Sequence, residues 1–303
     1  MALTNIQRDL ISYIAENDLT KAKQTARIIV SKQKDDPWKE RLLGKLEQKH
    51  IVELPYNLQP LLRIETPDTF IPGRHYLNDE QKSIVEQILS HQKVCSKLND
   101  LKINHPNTCL FYGEPGTGKT QLARRIAYEL DLPLLFVDFS GLMDSYLGGT
   151  HKNIKRVFDF ALSTECVLMV DEVDAIGMAR GQSNEVKELE RVVIGLMQEM
   201  DRLTSDQILI AATNRKDKLD PAFLRRFSLK FEITRFDFED RYQMLITFFD
   251  SLNETAENLR DEHLKTIVTN QAEILSIVSK DQTQSDLYQD MVSFLIQKLE
   301  KEQ

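Results

Sequence analysis

Cysteine is scarce. The 303 residues hold three, Cys95, Cys109 and Cys166, with no pair at a metal-knuckle spacing. An odd number, with Cys109 and Cys166 inside apolar runs, argues against a disulfide framework and predicts reduced, buried thiols. A basic excess is also missing. Lys and Arg number 39 against 47 Asp and Glu, a formal net charge of −8, so the footprint of a duplex-binding protein is absent and nucleic acid is a disfavoured partner. Local basic patches remain open. No charged-then-apolar leader begins the chain, and no apolar run reaches membrane-spanning length. There is no internal repeat, no low-complexity tract and no peptidase motif. These absences predict a cytoplasmic protein without a membrane segment.

What is present is ordinary globular composition, 41 % hydrophobic and 28 % charged, in a chain long enough for one large or two modest domains. One stretch carries chemistry at once. Gly113-Glu114-Pro115-Gly116-Thr117-Gly118-Lys119-Thr120 fits G-x-x-x-x-G-K-[ST]. It follows an apolar run, Thr108 to Tyr112, and precedes helical spacing from Gln121 to Leu130. Strand, glycine loop and helix in that order turn backbone N–H groups and a helix dipole onto one anion. Lys119 then supplies a point charge for the β- and γ-phosphates, and Thr120 a hydroxyl ligand for Mg²⁺.

The organisation follows in chain order. Residues 1–50 read as a small helical module of three short helices. Their stripes are Ile6, Leu10, Ile11 and Ile14, then Ala22, Ala26, Ile29 and Val30, then Trp38, Leu42 and Leu46. Residues 51–76 carry Pro55, Pro60, Pro67 and Pro72 and read as a linker or extended wrap. Residues 77–237 alternate helix and strand. The strands are Thr108–Tyr112, Pro133–Asp138, Val167–Val170, Ile208–Ala212 and Leu229–Ile233. That pattern predicts an α/β domain: a five-stranded parallel sheet with helices on both faces and the ligand at the carboxyl ends of the strands. Residues 238–303 read as an all-helical lid, with Leu287, Met291, Phe294, Leu295 and Leu299 on one side of its last helix.

Val167-Leu168-Met169-Val170 delivers Asp171 and Glu172 at its end. Asp171 is placed to hold Mg²⁺, and Glu172 to take a proton from an attacking water. Acidic pairs often end strands as solvated turns. The phosphate loop upstream is what gives this pair its meaning. Asn214, ending the fourth strand, can orient the same water, or simply form a turn.

These residues together resemble the AAA family of ATPases in its narrow sense. Asp171-Glu172-Val173-Asp174-Ala175-Ile176 is similar to the family's extended Walker B motif. Ala212-Thr213-Asn214-Arg215 through Leu219-Asp220-Pro221-Ala222-Phe223-Leu224-Arg225-Arg226-Phe227 is similar to its second region of homology. The clipped Arg225-Arg226-Phe227 ending is nearest the spastin and katanin-like branch, and the resemblance spans roughly residues 77–240. It implies that residues 113–121, ending at Gln121, bind ATP with Mg²⁺ on Thr120 and Asp171. It implies that Lys119, Glu172 and Asn214 serve catalysis and that Arg225 and Arg226 are arginine fingers reaching a neighbouring subunit. It also implies a homo-oligomer, a hexameric ring, whose pore loop Ser145-Tyr146-Leu147-Gly148-Gly149-Thr150 grips a protein client through Tyr146 and Leu147. Arg180 to Glu185 would form a second pore loop, and the N-terminal helices would recruit the client. Degradation of that client would need a separate protease.

Three departures stand out. Glu114 replaces the usual Pro, at a solvent-facing position. Gln284-Ser285-Asp286-Leu287 only faintly resembles the Gly-containing turn near adenine, and no lid arginine is evident. Tyr76 and Leu77 are candidates for the base, with plain packing the alternative. A second reading keeps the same nucleotide core in a DNA-associated loader or transposition helper. It predicts basic surface helices and no aromatic pore residue.

Overall fold

The computed structural model describes residues 5–15, 22, 25–26, 28–30, 52, 54–137, 142, 149–174, 184–259, 261–279 and 282–300. The chain divides into two compact units, Met1–Glu53 and Leu54–Gln303. In the first, helix α1 (Asn5–Ala15) keeps Ile6 and Leu10 half-buried but leaves Ile11 and Ile14 exposed. The expected first stripe is therefore split. The second stripe holds: Ala22 and Val30 are buried and Ala26 and Ile29 half-buried. The third, from Trp38 to Leu46, lies outside the described residues.

The second unit is built on one sheet. Its strands are β1 (Leu62–Glu65), β2 (Asn107–Tyr112), β3 (Leu134–Val137), β4 (Cys166–Val170), β5 (Gln207–Thr213) and β6 (Leu229–Glu232), in the order β1-β3-β4-β5-β2-β6. The five strands expected from the sequence are the parallel ones. The sixth, β1, corrects the five-stranded expectation. It lies antiparallel on β3, from Leu62 opposite Val137 to Glu65 opposite Leu134. Proline explains why the proline-bearing stretch can do this. β1 fits between Pro60 and Pro67, and an edge strand needs to pair on one side only. Arg124 fastens that edge to the layer above by a two-pronged hydrogen bond to Glu65, at 2.7 and 3.1 Å.

The strands are apolar throughout because helices cover both faces. Alternate residues go to opposite sides. Leu110, Leu135, Leu168 and Leu209 meet helices α4 (Gly149–Leu162) and α5 (Asn184–Met200) through Ile154, Val157, Phe158 and Leu196. Phe111, Phe136, Met169 and Ile210 meet α2 (Asp79–Asp100) and α3 (Lys119–Glu129) through Ile84, Ile88, Leu122 and Ile126. The short helix α6 (Pro221–Leu224) sits between β5 and β6.

Helices α7 (Phe238–Leu259), α8 (Glu262–Val268), α9 (Gln271–Leu275) and α10 (Gln284–Glu300) form a separate core around Leu245, Phe248, Phe249, Leu287 and Met291. Phe294 and Leu295 pack against it, whereas Leu299 ends exposed. Asp240 ties these helices to the segment leading into α2. Its carboxylate accepts from Tyr76 Oη and from Asn78 Nδ2, both at 3.0 Å. Asn78 is also the N-cap of α2, accepting from Gln81 N.

Candidate functional site

At the end of β2 the backbone must turn inside close quarters. Gly113 has φ +149°, and a Cβ there would fall 2.2 Å from the Ile233 carbonyl oxygen. Gly116 has φ +76°, and its Cβ would meet Thr283 Oγ1 at 2.6 Å. Gly118, at φ +86°, is the left-handed N-cap of α3, with nothing within 4 Å of where a Cβ would stand. Only glycine takes these conformations without strain. The result is a concave run of backbone that opens on the positive end of α3.

Lys119 is buried, and its ammonium donates to Gly113 O at 3.0 Å and Glu114 O at 2.7 Å. Burial pulls its pKa below the ordinary lysine value, while Asp171 and Asp174 pull the other way. Thr120 Oγ1 donates to Asp171 Oδ2 at 2.8 Å, and the other Asp171 oxygen accepts from Glu172 N at 2.9 Å. Glu172 itself takes φ +53°, a left-handed conformation that costs ~1–3 kcal/mol in a non-glycine residue. It turns the chain out of β4 and leaves the carboxylate exposed at the cleft. Asp174 ties this end to β5, accepting from Thr213 Oγ1 at 2.8 Å and Asn214 N at 3.3 Å. Asn214 Oδ1 is buried and has no hydrogen-bond partner among the described residues. A buried acceptor left open in this way can take a donor from a bound molecule.

These groups line one end of a cleft of about 390 Å³. The other end is largely apolar, with Tyr76, Leu77, Phe236, Met244 and Tyr288. Tyr76 meets Phe236 edge to face at 5.7 Å, and its hydroxyl pKa is pushed up to about 12 by burial and then by Asp240. Gln121 lines the cleft from α3. Glu114 is exposed, as expected of its position, and pairs with Arg235.

The lid contributes contacts that sequence reasoning only touched on. Ser285 N donates to Gly116 O at 3.0 Å. Gln284 is buried, and its Nε2 donates to Thr117 O at 3.3 Å and Thr234 O at 3.1 Å. Those two carbonyls fix the amide's orientation, so Oε1 is the acceptor left without a partner among the described residues. The faint resemblance of Gln284-Ser285-Asp286-Leu287 to a Gly-containing turn was the available signal. Arg241 in α7 donates to Phe236 O and is structural.

The two arginines separate. Arg226 makes a fork to Asp201, with Nε to Oδ1 and Nη2 to Oδ2 both at 3.0 Å, and also donates to Ala222 O. Arg225 donates its backbone N–H to Pro221 O at 3.2 Å, and its side chain is exposed with no hydrogen bond or ion pair to any described residue. Tyr146 and Leu147 lie outside the described residues, as does most of Arg180 to Glu185.

Hard oxygen donors, a hydroxyl and a carboxylate 2.8 Å apart beside an anion cradle, suit a Mg²⁺ ion. Residues 109–235 match the model of the AAA family, "ATPase family associated with various cellular activities". The chain is 31 % identical over 254 residues to a proteasome-activating nucleotidase of Methanococcus maripaludis, an alignment covering 78 % of this chain and 62 % of that protein. It is 38 % identical over 175 residues to the ATP-dependent zinc metalloprotease FtsH of Aquifex aeolicus, covering 55 % and 28 %. It is 36 % identical over 174 residues to a probable 26S proteasome regulatory subunit 10B of Caenorhabditis elegans, covering 55 % and 42 %. The chain thus spans less than two thirds of the length of each. Among the described residues no helix is long and apolar enough to cross a membrane.

Proposed function

We propose that this chain, which carries an AAA ATPase domain at residues 109–235, hydrolyses ATP in an oligomeric ring and uses the cycle to unfold or disassemble a protein client. One observation carries the hydrolytic reading. The Thr120–Asp171 pair, the Glu172 carboxylate and the open Asn214 acceptor meet at the carboxyl ends of β2, β4 and β5. Lys119 leaves its two loop carbonyls for the phosphate oxygens. Thr120 and Asp171 would hold Mg²⁺, which would supply positive charge to offset that on the phosphate groups. Asn214 Oδ1 accepts from the attacking water and aligns it. Glu172 takes its proton. Arg225 serves the neighbouring subunit's nucleotide, and Arg226 braces the segment through Asp201. The ring we favour is a hexamer, by resemblance to the family. A separate protease would be needed for degradation, and the setting is cytoplasmic.

The apolar end of the cleft takes the base. There Gln284 Oε1 is the acceptor that the 6-amino group of adenine would meet. Gln284→Leu is expected to reduce the preference for ATP over the analogue lacking that amino group by a few-fold to ~10-fold in kcat/KM, the worth of one hydrogen bond. The check is the ratio of the two substrates on one preparation, which cancels any general loosening of the lid. An unchanged ratio would remove Gln284 from base selection.

Client work is assigned to Tyr146 and Leu147, by resemblance to the family's pore loop. An aromatic ring gives much apolar contact at little rotamer cost, which suits a grip on varied sequences. Tyr146→Ala is expected to leave basal hydrolysis within a few-fold, because it removes no group that touches phosphate, metal or water. Disassembly of a captured partner should fall to background, and Tyr146→Phe should keep most of it. The experiment compares melting temperature, ATP turnover and partner disassembly. A Tyr146→Ala protein that is destabilised and dead in all three would mean a core tyrosine and end the pore assignment.

A further inference from the structure

On the other side of the domain from the lid contacts, α2 and the turn into β2 bring together two histidines and a cysteine. His91 and Cys95 stand four residues apart on one face of α2. His105 comes from the connection to β2. One ligand atom from each lies within 4.8 Å of the others. His91 Nδ1 is 3.5 Å from Cys95 Sγ, and the two imidazole rings are 5.6 Å apart at 65°. Zn–N bonds of ~2.0–2.1 Å and a Zn–S bond of ~2.3 Å at a tetrahedral angle separate the two donor atoms by roughly 3.5 Å. The His91–Cys95 spacing is already that edge.

A fourth donor stands beside them. Asn107 Oδ1 is 3.1 Å from His91 Nδ1. Its amide cannot turn freely, because Nδ2 donates to Ile88 O and Gln92 Oε1, both at 3.2 Å. That keeps the carbonyl oxygen on the cluster. Cys95 is buried, His91 half-buried and His105 exposed, so the cluster runs from the interior to the surface. A thiolate with two imidazoles is a borderline-soft set that selects zinc over the Mg²⁺ suited to the oxygen donors of the nucleotide cleft.

We propose that His91, Cys95 and His105 form a zinc site, with the Asn107 carboxamide oxygen completing the tetrahedron. Binding forms one Zn–S, two Zn–N and one Zn–O bond, releases the water ligands of the aqua ion, gives up the His91–Asn107 hydrogen bond and sends the Cys95 thiol proton to solvent. The ion would clip the C-terminal half of α2 to the start of β2, the strand that leads into the phosphate loop. No cysteine pair spells the site in the sequence, since a helix face and a turn supply it instead.

The test uses the full chain without a histidine tag, stripped with a chelator and titrated with Zn²⁺ alone and with Co²⁺ as a spectroscopic stand-in. One equivalent of zinc is expected to bind at the cluster and to raise the melting temperature, reversibly on chelation. The cobalt form should show a thiolate charge-transfer band and the visible bands of a four-coordinate ion. Cys95→Ser should abolish the charge-transfer band. His105→Gln, at an exposed position that does not threaten folding, should weaken zinc by more than the ~10–100-fold that loss of an outer-shell partner costs. ATP turnover in Mg²⁺ should survive in His105→Gln. Absence of the thiolate band, or unchanged zinc affinity in a folded His105→Gln protein, overturns the proposal. So does metal uptake that Asp171→Asn removes and Cys95→Ser does not, which would place the ion in the nucleotide cleft.

Discussion

Glu172→Gln is expected to bind ATP as the parent chain does and to hydrolyse it ~10²–10⁴-fold more slowly, the usual contribution of a positioned general base. The argument rests on what the carboxylate is free to do. Asp171 is engaged on both oxygens, by Thr120 and by the Glu172 amide. Asp174 is engaged by Thr213 and Asn214. Glu172 is the acid at this strand end that stands exposed at the cleft, on a backbone bent to φ +53° to put it there. Removing its charge leaves Lys119, Thr120 and Asp171 untouched, so binding should persist. Steady-state phosphate release beside a nucleotide titration gives both numbers. Normal hydrolysis by Glu172→Gln would mean that another group takes the proton. The same variant, captured with ATP present, should hold its client and allow it to be identified.

Arg225→Ala is expected to lose ~10³–10⁵ in turnover if it stabilises charge on a neighbour's phosphate, the range known for such arginines. It should do so without losing stability, because Arg225 is exposed and contributes no ion pair to the described fold. Arg226→Ala should behave differently. It removes the fork to Asp201 and the bond to Ala222 O, which together orient the segment that carries Arg225. The pair is partly exposed, with side-chain accessibilities of 30 % and 57 %, so the stability cost should be ~1 kcal/mol or less. Turnover should fall through misplacement of Arg225, and Asp201→Asn should lower it in the same way although both arginines are retained in the sequence. Thermal denaturation and turnover on Arg225→Ala, Arg226→Ala and Asp201→Asn separate the two roles. Equal destabilisation by both alanine variants would contradict the division.

The phosphate loop was legible because its chemistry is local. Eight consecutive residues and their flanking strand and helix carry the geometry within themselves. The parallel strands were legible because burial on both faces writes a continuous apolar run. β1 was not, since its partner β3 is far along the chain and prolines mask a strand of four residues. Ile11 and Ile14 kept a helical spacing that packing in this unit did not use. Gln284 and Ser285 were visible only as a faint turn, because their meaning lies in contact with Gly116, Thr117 and Thr234, distant in sequence. The split between Arg225 and Arg226 depends on Asp201, which no spacing rule connects to them. The same holds for His105, whose place beside His91 and Cys95 follows from how α2 turns into β2.

The central claim is that hydrolysis is completed between subunits. It is tested most directly by mixing Arg225→Ala and Lys119→Ala chains and measuring ATP turnover in Mg²⁺. Each alone should be inactive, the first for want of an arginine at its neighbour's phosphate and the second for want of the phosphate-binding lysine. In a mixed ring some interfaces join an intact Lys119 cleft to an intact Arg225, and turnover should reappear in proportion to those interfaces. A mixture shown by mass to contain both chains in one assembly, yet as inactive as its parts, would contradict the account.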